Sequence, residues 1–492
     1  MRPLLAIPPF PGARPPVFAE PGGAGCDDPD ELLAALAHHR VGGCYWGAAV
    51  DGPAALTADN WPGAADPWAV LAKARSATLP ADDPRTLLVL AAGVPLAHDD
   101  GGAVDRTTLV RLHLSNWQWR DPFSGRAISA LQAIALSGFW RNLIDANRSI
   151  AAVLGFAHWK RPTVAPLLWN GRESPFRRGV PALGPTDKVA VWRSRLSTAQ
   201  GRALAGHTVL EVEDGFLRSA GLGADCVPPL SIIVDELGVH FDPNGPSGIE
   251  QLLEHGRFPP ELIERANALR QAVVAGGLSK YERGAATPLN RPGGGQRHVL
   301  VPGQVEDDRA VTSGGALASN LELLRRARAE AGPDAFLIYK PHPDVLAGHR
   351  KGLIADAEMA ALADQVEYDA PMAPLIAMVD ELHVNSSLAG FEALLRGKPV
   401  TVHGVPFYAG WGLTIDRGPV PARRTARRTL DELVAAAYLL YPRYLDPETG
   451  LPCPAEVLVQ RLTGAAPSLD PGAAALVALR RATGRVRRLI KA

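Results

Sequence analysis

Short apolar runs alternate with amphipathic segments along most of this chain, and this alternation predicts its secondary structure. Between residues 147 and 285, three apolar runs predict strands: VAVW at 189–192, TVLEVE at 208–213 and LSIIVD at 230–235. The segment ELIERANALRQAVVAGG at 261–277 has apolar residues at helical spacing and predicts a helix. This first block therefore alternates strands and helices.

A second block of the same kind follows a linker, NRPGGGQRH at 290–298, whose glycines after a proline favour neither helix nor strand. Four apolar runs predict its strands: VLVPGQVEDD at 299–308, AFLIYKPHPD at 335–344, ELHVNSSLAG at 381–390 and PVTVHG at 399–404. Alternation of strands and helices predicts parallel sheets with crossover helices. We therefore expect an α/β fold with two Rossmann-like domains facing a cleft, in which ligands bind beyond the carboxyl ends of the strands.

One internal repeat lies outside these blocks. The segment DPFSG at 121–125 aligns with DPETG at 446–450, and each follows aromatic and basic residues and precedes a predicted helix. A repeat of this kind changes the interpretation of a fold. It suggests that the N-terminal region is the end of a reduced upstream copy of the same module.

Composition narrows the class of protein. Lys+Arg and Asp+Glu are equal at 51 each, and 47% of the 492 residues are hydrophobic, which favours a globular protein of two or three domains without a basic field for nucleic acid. The four cysteines (Cys26, Cys44, Cys226 and Cys453) lack metal-binding spacing, and no apolar run could span a bilayer. We expect a cytoplasmic protein. The basic tail at 471–492 is either a solvated helix or a contact with an anionic inner-membrane surface.

The first chemical motif, EDGFLRSAGLG at 213–223, ends a predicted strand. Glu213 and Asp214 are adjacent carboxylates, and their charges repel each other unless a cation or a ligand binds them. Gly215 permits close approach of backbone or ligand, and Arg218 offers a planar fork to a carboxylate. An ordinary loop acid pair or a capping box remains the alternative.

Three further motifs follow strands of the second block. His342 lies between two prolines, where it is either a core histidine or a donor to a leaving phosphate. Asn385, Ser386 and Ser387 precede a helix, as in anion sites; simple N-capping would explain one serine but explains the pair less well. Glu392, one turn later, could hold a ribose. The loop with Gln304 and the acids 306–308 could be a metal-binding cluster, but it lacks the spaced acid pair, so loop or substrate contacts are favoured.

Taken together, these motifs resemble the KpsC/LipB capsular polysaccharide family over residues 141–462, most closely its second module. The strings that carry the resemblance are EDGFLRSAGLG, LSIIVDELGVHFD, PGQVEDD, KPHPDV and NSSLAGFEALLRGKPVTVHGVPFYAGWGLT. The resemblance implies a GT-B-like fold and a retaining β-Kdo transferase that uses CMP-Kdo and a lipid-linked Kdo acceptor. The region upstream of residue 141 contains none of these strings, apart from a faint echo of LLRGKPVTVH in LAAGVPLAH at 90–98.

The resemblance also implies roles for individual residues. Asp214 would be the nucleophile, Glu213 its orienting partner or the acid/base, and His342 would stabilise the leaving phosphate. Arg218 would bind the sugar carboxylate, although helix packing or an ion pair with Glu213 would equally explain it. The donor-binding set comprises Arg218, Ser219, Gln304, Glu306, Lys340, His342, Asn385, Ser386, Ser387 and Glu392. No metal is expected, because CMP carries a single phosphate; a chelator that abolished turnover would contradict this.

The expected organisation has five parts: residues 1–140 as the upstream remnant, 141–290 and 296–425 as the Rossmann-like acceptor and donor domains, 426–470 as helices packing back on the acceptor domain, and 471–492 as the tail. Two alternatives remain: a transferase for another CMP-activated acidic sugar such as a sialic acid, and a non-catalytic capsule assembly or export component. Capsule assembly proteins are further candidate partners.

Overall fold

A computed structural model describes residues 3–23, 25, 28–172, 176–218, 227–279, 289–315, 317–348 and 350–464. Ser219 and the basic tail at 471–492, both singled out in the sequence, lie outside the described residues. The described chain divides into two compact units. The first contains 3–153, 162–189 and 445–452, and the second contains 154–161, 190–444 and 453–464.

The first unit contains two small sheets with helices between them. Its strands are β1 Ala19–Pro21, β2 Ala55–Thr57, β3 Ser76–Leu79, β4 Leu96–His98, β5 Trp117–Arg120, β6 Ala127–Ile128 and β7 Ile150–Leu154, whose last residue is counted with the second unit. Its helices are α1 Pro29–His39, α2 Pro67–Leu71, α3 Arg85–Ala91, α4 Arg106–Val110, α5 Ala130–Asn147 and α6 Arg161–Val164. β1, β5 and β6 are antiparallel, whereas β2, β3 and β4 are parallel. Since α5 is continuous, the domain boundary expected at residue 140 falls inside a helix.

The second unit contains one parallel sheet and a second group of strands in which β9, β10 and β17 pair antiparallel. Its strands are β8 Lys188–Val191 (shared with the first unit), β9 Thr208–Asp214, β10 Ser231–Asp235, β11 His298–Pro302, β12 Phe336–Lys340, β13 Gln365–Val366, β14 Glu381–Val384, β15 Val400–Val402, β16 Ile415–Asp416, β17 Pro442–Leu445 and β18 Pro452–Cys453. Its helices are α7 Thr198–Ala203, α8 Gly248–His255, α9 Pro260–Ala275, α10 Arg309–Gly314, α11 Asn320–Ala331, α12 Pro343–Leu346, α13 Asp356–Leu362, α14 Met372–Met378, α15 Leu388–Leu395, α16 Leu430–Val434 and α17 Ala455–Thr463.

The second block, residues 296–425, which is called the donor side below, has the parallel sheet that the sequence predicted. Its strand order is β13-β12-β11-β14-β15-β16, and all of its pairs are parallel. This is the doubly wound strand order of a Rossmann-like sheet. The strands are added toward one edge and then toward the other, and the switch point lies at the central strand β11. Val299 of β11 and Leu337 of β12 belong to one buried cluster with Leu324 of α11. The carboxyl ends of β12, β11 and β14, which are neighbours, therefore lie side by side.

The first block differs from the expected parallel sheet. β9 pairs antiparallel with β10, with Val212 opposite Val234, and β10 pairs antiparallel with β17 from the far C-terminal part of the chain. The prediction of a parallel sheet is therefore wrong for these strands. Apolar strands look alike in either direction, and antiparallel neighbours do not need the crossover helix that parallel strands require.

The internal repeat is a structural repeat as well. In both DPxxG segments the backbone N–H of the glycine donates to the carbonyl of the aspartate, over 2.8 Å in Asp121–Gly125 and 2.9 Å in Asp446–Gly450, and both glycines have φ of 70°. A left-handed φ at this position suits glycine. Each turn follows an α-helix, a π-helical turn and a strand, and each precedes a short strand and a helix. The echo at 90–98 has the same character, because Gly93 and Gly397 both have φ of 69° between a helix and a strand.

Candidate functional site

Strand β9 ends at Asp214, and two buried cations hold this carboxylate. Lys160 Nζ lies 3.0 Å from Oδ1, and Arg218 Nε lies 2.7 Å from Oδ2. The side chains of Lys160 and Arg218 are only 9% and 1% exposed, so both interactions are shielded from water. Arg218 also donates to the carbonyl of Val227. The alternative ion pair of Arg218 with Glu213 is therefore not the one formed; its partner is Asp214.

Lys160 is the residue that sequence reasoning missed at this carboxylate. Its ammonium lies 3.3 Å from the ring centroid of Trp192 and 5.3 Å from that of Trp159. Burial lowers its pKa to about 8, although the charge of Asp214 opposes the shift. The available signal was a lysine inside the aromatic segment GFAHWKRP, 54 residues before Asp214, and nothing in the sequence links the two positions.

Glu213, the second acid of the pair, has a different environment. Burial raises its pKa to about 7, with Asp214 adding to the shift and Arg309 opposing it. Arg309 Nη1 lies 2.9 Å from Glu213, its Nη2 lies 3.3 Å from Glu211, and its guanidinium lies 5.2 Å from the ring centroid of Phe241. Adjacent carboxylates with unlike environments are a usual way to obtain one ionised group and one group that titrates near neutral pH.

Gly215 permits close approach, as expected, but to the protein rather than to an open space. A Cβ on this residue would lie 2.2 Å from Ser231 Oγ. Ser231 belongs to β10, and its carbonyl accepts the N–H of Gly215 over 3.0 Å. The glycine thus allows the end of β9 to sit tightly against β10.

The carboxyl ends of β11, β12 and β14 supply the other group of polar residues. Gln304 Oε1 accepts a hydrogen bond from the backbone N–H of Ser386 at 2.9 Å, and its Nε2 donates to the hydroxyl of Ser386 at 3.2 Å. His342 caps α12, and its Nδ1 accepts the N–H of Asp344 at 3.1 Å, so in the neutral ring Nε2 carries the hydrogen. Ser387 caps α15 through the N–H of Ala389. The positive end of that eight-residue helix therefore faces the same region.

These two groups of residues line one cavity of about 470 Å³. Asp214 and His342, 128 positions apart in the chain, both contribute to its wall. The predicted residues among its lining are Glu213, Asp214, Arg218, Gln304, His342, Ser386 and Ser387. Aromatic side chains complete it, and Phe216 and Phe407 stack with ring centroids 4.5 Å apart. A cavity of this size and polarity can hold a nucleotide-activated sugar.

Four predicted donor residues lie outside that lining. Asn385 is buried and bonds the backbone of Leu317, and Glu306 accepts the N–H of Asn320 at 2.8 Å. Lys340 is buried and donates to the carbonyl of Tyr368 at 3.5 Å. Glu392 is only 6% exposed. Because three of these side chains bond neighbouring backbone and Glu392 is buried, their placement favours support of the site over contact with a ligand.

The acids of the loop at 306–308 do not form a metal cluster in the described structure. Asp307 lies 3.1 Å from Arg350 Nε, whereas Asp308 caps α10 through the N–H of Ala310. Arg350 itself lines the cavity and is 37% exposed, which makes it a further cation that sequence reasoning missed.

Comparison with known proteins places the chain among its relatives. The profile of the family described as capsule polysaccharide biosynthesis protein matches residues 187–291 and 285–444, and so covers more than half of the chain. The chain belongs to this family. The KpsC/LipB resemblance read from the motifs is thereby confirmed.

Two known proteins are similar to this chain over roughly two thirds of its length. Lipopolysaccharide-processing protein LpsZ of Rhizobium meliloti is 41% identical over 64% of this chain and 74% of its own length. Capsule polysaccharide modification protein LipA of Neisseria meningitidis serogroup B is 36% identical over 71% of this chain, which spans 50% of LipA. The chain thus matches only half of that longer relative.

Two solved structures are similar in fold as well as in sequence. The Thermosulfurimonas dismutans KpsC structure described as a beta Kdo 2,4 transferase is 33% identical, with a TM-score of 0.54, and the match covers 64% of this chain and 98% of that one. The KpsC structure described as a beta Kdo 2,7 transferase is 31% identical, with a TM-score of 0.50. The α/β fold therefore fits a GT-B-like glycosyltransferase. None of the described helices is both long and apolar enough to cross a bilayer.

Proposed function

We propose that this protein is a glycosyltransferase that moves Kdo from CMP-Kdo to a lipid-linked Kdo acceptor during capsule polysaccharide synthesis. One observation carries the proposal: Asp214 and His342 line the same cavity. The likeness to two KpsC structures described as beta Kdo transferases supports the sugar. A cleft belongs to this proposal, with β9 on the acceptor side and the Rossmann-like sheet that carries β11, β12 and β14 on the donor side.

The proposed reaction retains configuration in two displacements. An oxygen of Asp214 attacks the anomeric carbon, the bond from that carbon to the phosphate oxygen breaks, and the electron pair leaves on CMP. Lys160 and Arg218 each hold one oxygen of this carboxylate and so position it for the attack. The acceptor hydroxyl then attacks the same carbon, Asp214 is released, and Glu213 takes the hydroxyl proton.

The second wall would stabilise the leaving phosphate. His342 Nε2 and the N-terminus of α15, capped by Ser387, are a donor and a positive end that favour the charge developing on CMP, whereas the hydroxyl of Ser386 donates to the carbonyl of Ala310 at 3.0 Å and so holds the loop in place. With these groups in place, we propose that the chemistry needs no metal in the cavity, so added Mg²⁺ or Mn²⁺ would not change the rate. Because Arg350 is more exposed than Arg218, we propose that Arg350 binds the carboxylate or the phosphate of the donor.

The experiment that tests the function is a transfer assay with defined substrates. CMP-Kdo and CMP-sialic acid are each incubated with synthetic acceptors carrying zero, one or two Kdo units, and the products are analysed by NMR. We expect CMP release and a new β-Kdo linkage only with CMP-Kdo and an acceptor that already carries Kdo. Transfer from CMP-sialic acid instead would favour another acidic sugar. If cells with Asp214→Ala still made capsule, the non-catalytic assembly role would replace this proposal.

The pH dependence should be a narrow bell with its maximum between about pH 7 and 8. Glu213, with a pKa near 7, must be ionised to act as base, so activity is lost as pH falls below that value. Lys160, with a pKa near 8, must be protonated to hold Asp214, so activity is lost as pH rises above it. The test is the profile of kcat/KM against pH in the wild type, in Glu213→Gln and in Lys160→Arg.

We expect the acid limb to vanish from the residual activity of Glu213→Gln, and the alkaline limb of Lys160→Arg to move to higher pH because arginine stays protonated. Unchanged limbs in these variants would contradict the assignment. Folding is checked separately. Because burial raises the pKa of Glu213 from 4.5 to about 7, ionisation of this group lowers the stability of the folded state. The loss is absent below about pH 4.5, grows between pH 4.5 and 7, and is complete above pH 7. Glu213→Gln should therefore melt no lower than the wild type at pH 8.

A further inference from the structure

Three potential metal ligands converge in the donor-side sheet, outside the lining of the cavity. His383 lies on β14, His403 follows β15 directly, and Glu330 is near the end of α11. One ligand atom from each of the three lies within 4.8 Å of the others. Among the described residues, these three form the one group of histidine, cysteine or acidic side chains that lie close enough together to hold a metal ion. The function proposed above makes no use of it.

We propose that Glu330, His383 and His403 bind one divalent transition-metal ion of the Zn²⁺ class. His383 Nδ1 and His403 Nε2 are 3.2 Å apart. Two nitrogens at ordinary Zn–N distances of about 2.0–2.1 Å, at a tetrahedral angle, would be separated by roughly 3.3 Å. Two imidazoles and one carboxylate are a donor set that suits zinc and its neighbours better than Mg²⁺ or Ca²⁺.

Contacts around His383 and Glu330 orient these two ligands, whereas Nδ1 of His403 is buried without a hydrogen-bond partner among the described residues. His383 Nε2 lies 3.7 Å from Glu381 Oε1, which directs the other ring nitrogen, Nδ1, toward the ion. Both bonds from Arg417 to Glu330 end on Oε1, at 3.0 and 2.5 Å, so Oε2 is the oxygen that can enter the coordination shell. The histidines are each 2% exposed, whereas the side chain of Glu330 is 31% exposed. The ion would therefore enter from the side of Glu330, where water can fill the fourth position.

The position of the cluster gives the ion a structural role behind the cavity. The N–H of His403 donates to Val384 at 2.8 Å, and the N–H of Gly404 donates to Asn385 at 3.0 Å. The chain runs from these residues into the cavity wall, to Ser386 on one side and Pro406 on the other. An ion bound to both histidines would hold together the two strand ends that carry these wall segments. A hydrogen bond between the rings would also give the 3.2 Å separation, but it assigns no part to Glu330.

The test measures metal binding by the full chain, independently of transfer activity. Protein loaded with Zn²⁺ and dialysed is analysed for metal content, and its affinity is measured by competition with a chromogenic chelator. We expect one Zn²⁺ per chain and at least about tenfold weaker binding in Glu330→Gln and in His403→Gln. Glu330→Gln keeps an oxygen for Arg417 and so preserves the fold. Glu322→Gln, on the same helix and paired with Arg326, is the matched control and should bind like the wild type.

The visible spectrum of the Co²⁺-loaded protein gives a second readout, which should report a tetrahedral site in the wild type and in Glu322→Gln. Wild-type protein without stoichiometric metal after dialysis would overturn the proposal, leaving a hydrogen bond between the rings. Binding by Glu330→Gln as tight as that of the wild type would overturn it too.

Discussion

Replacing Asp214 by asparagine is expected to lower kcat for Kdo transfer on the order of 10³-fold or more, because the amide cannot form the glycosyl ester. Donor binding should change little, since the CMP-binding groups lie on other elements. The direct readout is the mass of the intact protein after brief mixing with CMP-Kdo without acceptor. The wild type should gain the mass of one Kdo residue, and Asp214→Asn should not.

The Asp214 experiment needs a control for folding. Removing this carboxylate leaves the buried Lys160 and Arg218 without their charge partner, which is destabilising in itself. Asp214→Glu keeps the charge but displaces the oxygen by about 1 Å, a shift that can cost about 10²-fold in rate. Glu456→Gln, which breaks a surface pair with Arg265, should leave the rate unchanged. Transfer by Asp214→Asn at the wild-type rate, with its fold intact, would refute the nucleophile assignment.

Replacing His342 by asparagine should lower kcat by about 10²- to 10³-fold, the usual cost of removing one donor to a developing negative charge. The structure makes this variant specific. In the proposed mechanism His342 has two roles: Nδ1 caps α12 by accepting from Asp344, and Nε2 donates to the leaving phosphate. Asparagine is among the best N-cap residues, so it preserves the first role and removes the second.

The control for His342 is alanine, which removes both roles. We expect equal losses of kcat in His342→Asn and His342→Ala, but a lower melting temperature only in the alanine variant, by the equivalent of about 0.5–2 kcal/mol. The rates are measured by single-turnover release of CMP, and the melting temperatures by circular dichroism. If His342→Asn kept full activity, the residue would be a cap and nothing more.

The donor-side sheet shows how much of a fold local patterns can predict. Strands at 298–302, 336–340, 381–384 and 400–402 follow the predicted apolar runs, and the parallel order follows from the helices between them. The short edge strands Gln365–Val366 and Ile415–Asp416 were missed, because two residues carry no periodic signal. The direction of β10 was also missed, since pairing direction is decided by the connections and by β17, which is more than 200 residues away.

The candidate site divides in the same way. Residues in the loops directly after strands, such as Gln304, His342 and Ser386, were predictable because parallel strands bring their carboxyl ends together. The partners of the acid pair were not predictable. Lys160, which pairs with Asp214, and Arg309, which pairs with Glu213, come from distant segments, and the burial that raises the pKa of Glu213 arises only in the folded chain. Asn385 and Glu392 have the expected residue types but pack into the interior.

The sequence by itself determined the family, the α/β class, the repeat and the strand ends where chemistry is concentrated, because these depend on local periodicity and on motifs of a few adjacent residues. Only the tertiary structure decided which cations hold Asp214, which acid has a pKa raised toward neutral pH, and which of the predicted polar residues reach the cavity. Those outcomes depend on burial and on distances between segments far apart in the chain, and neither is encoded in the spacing of residues along it.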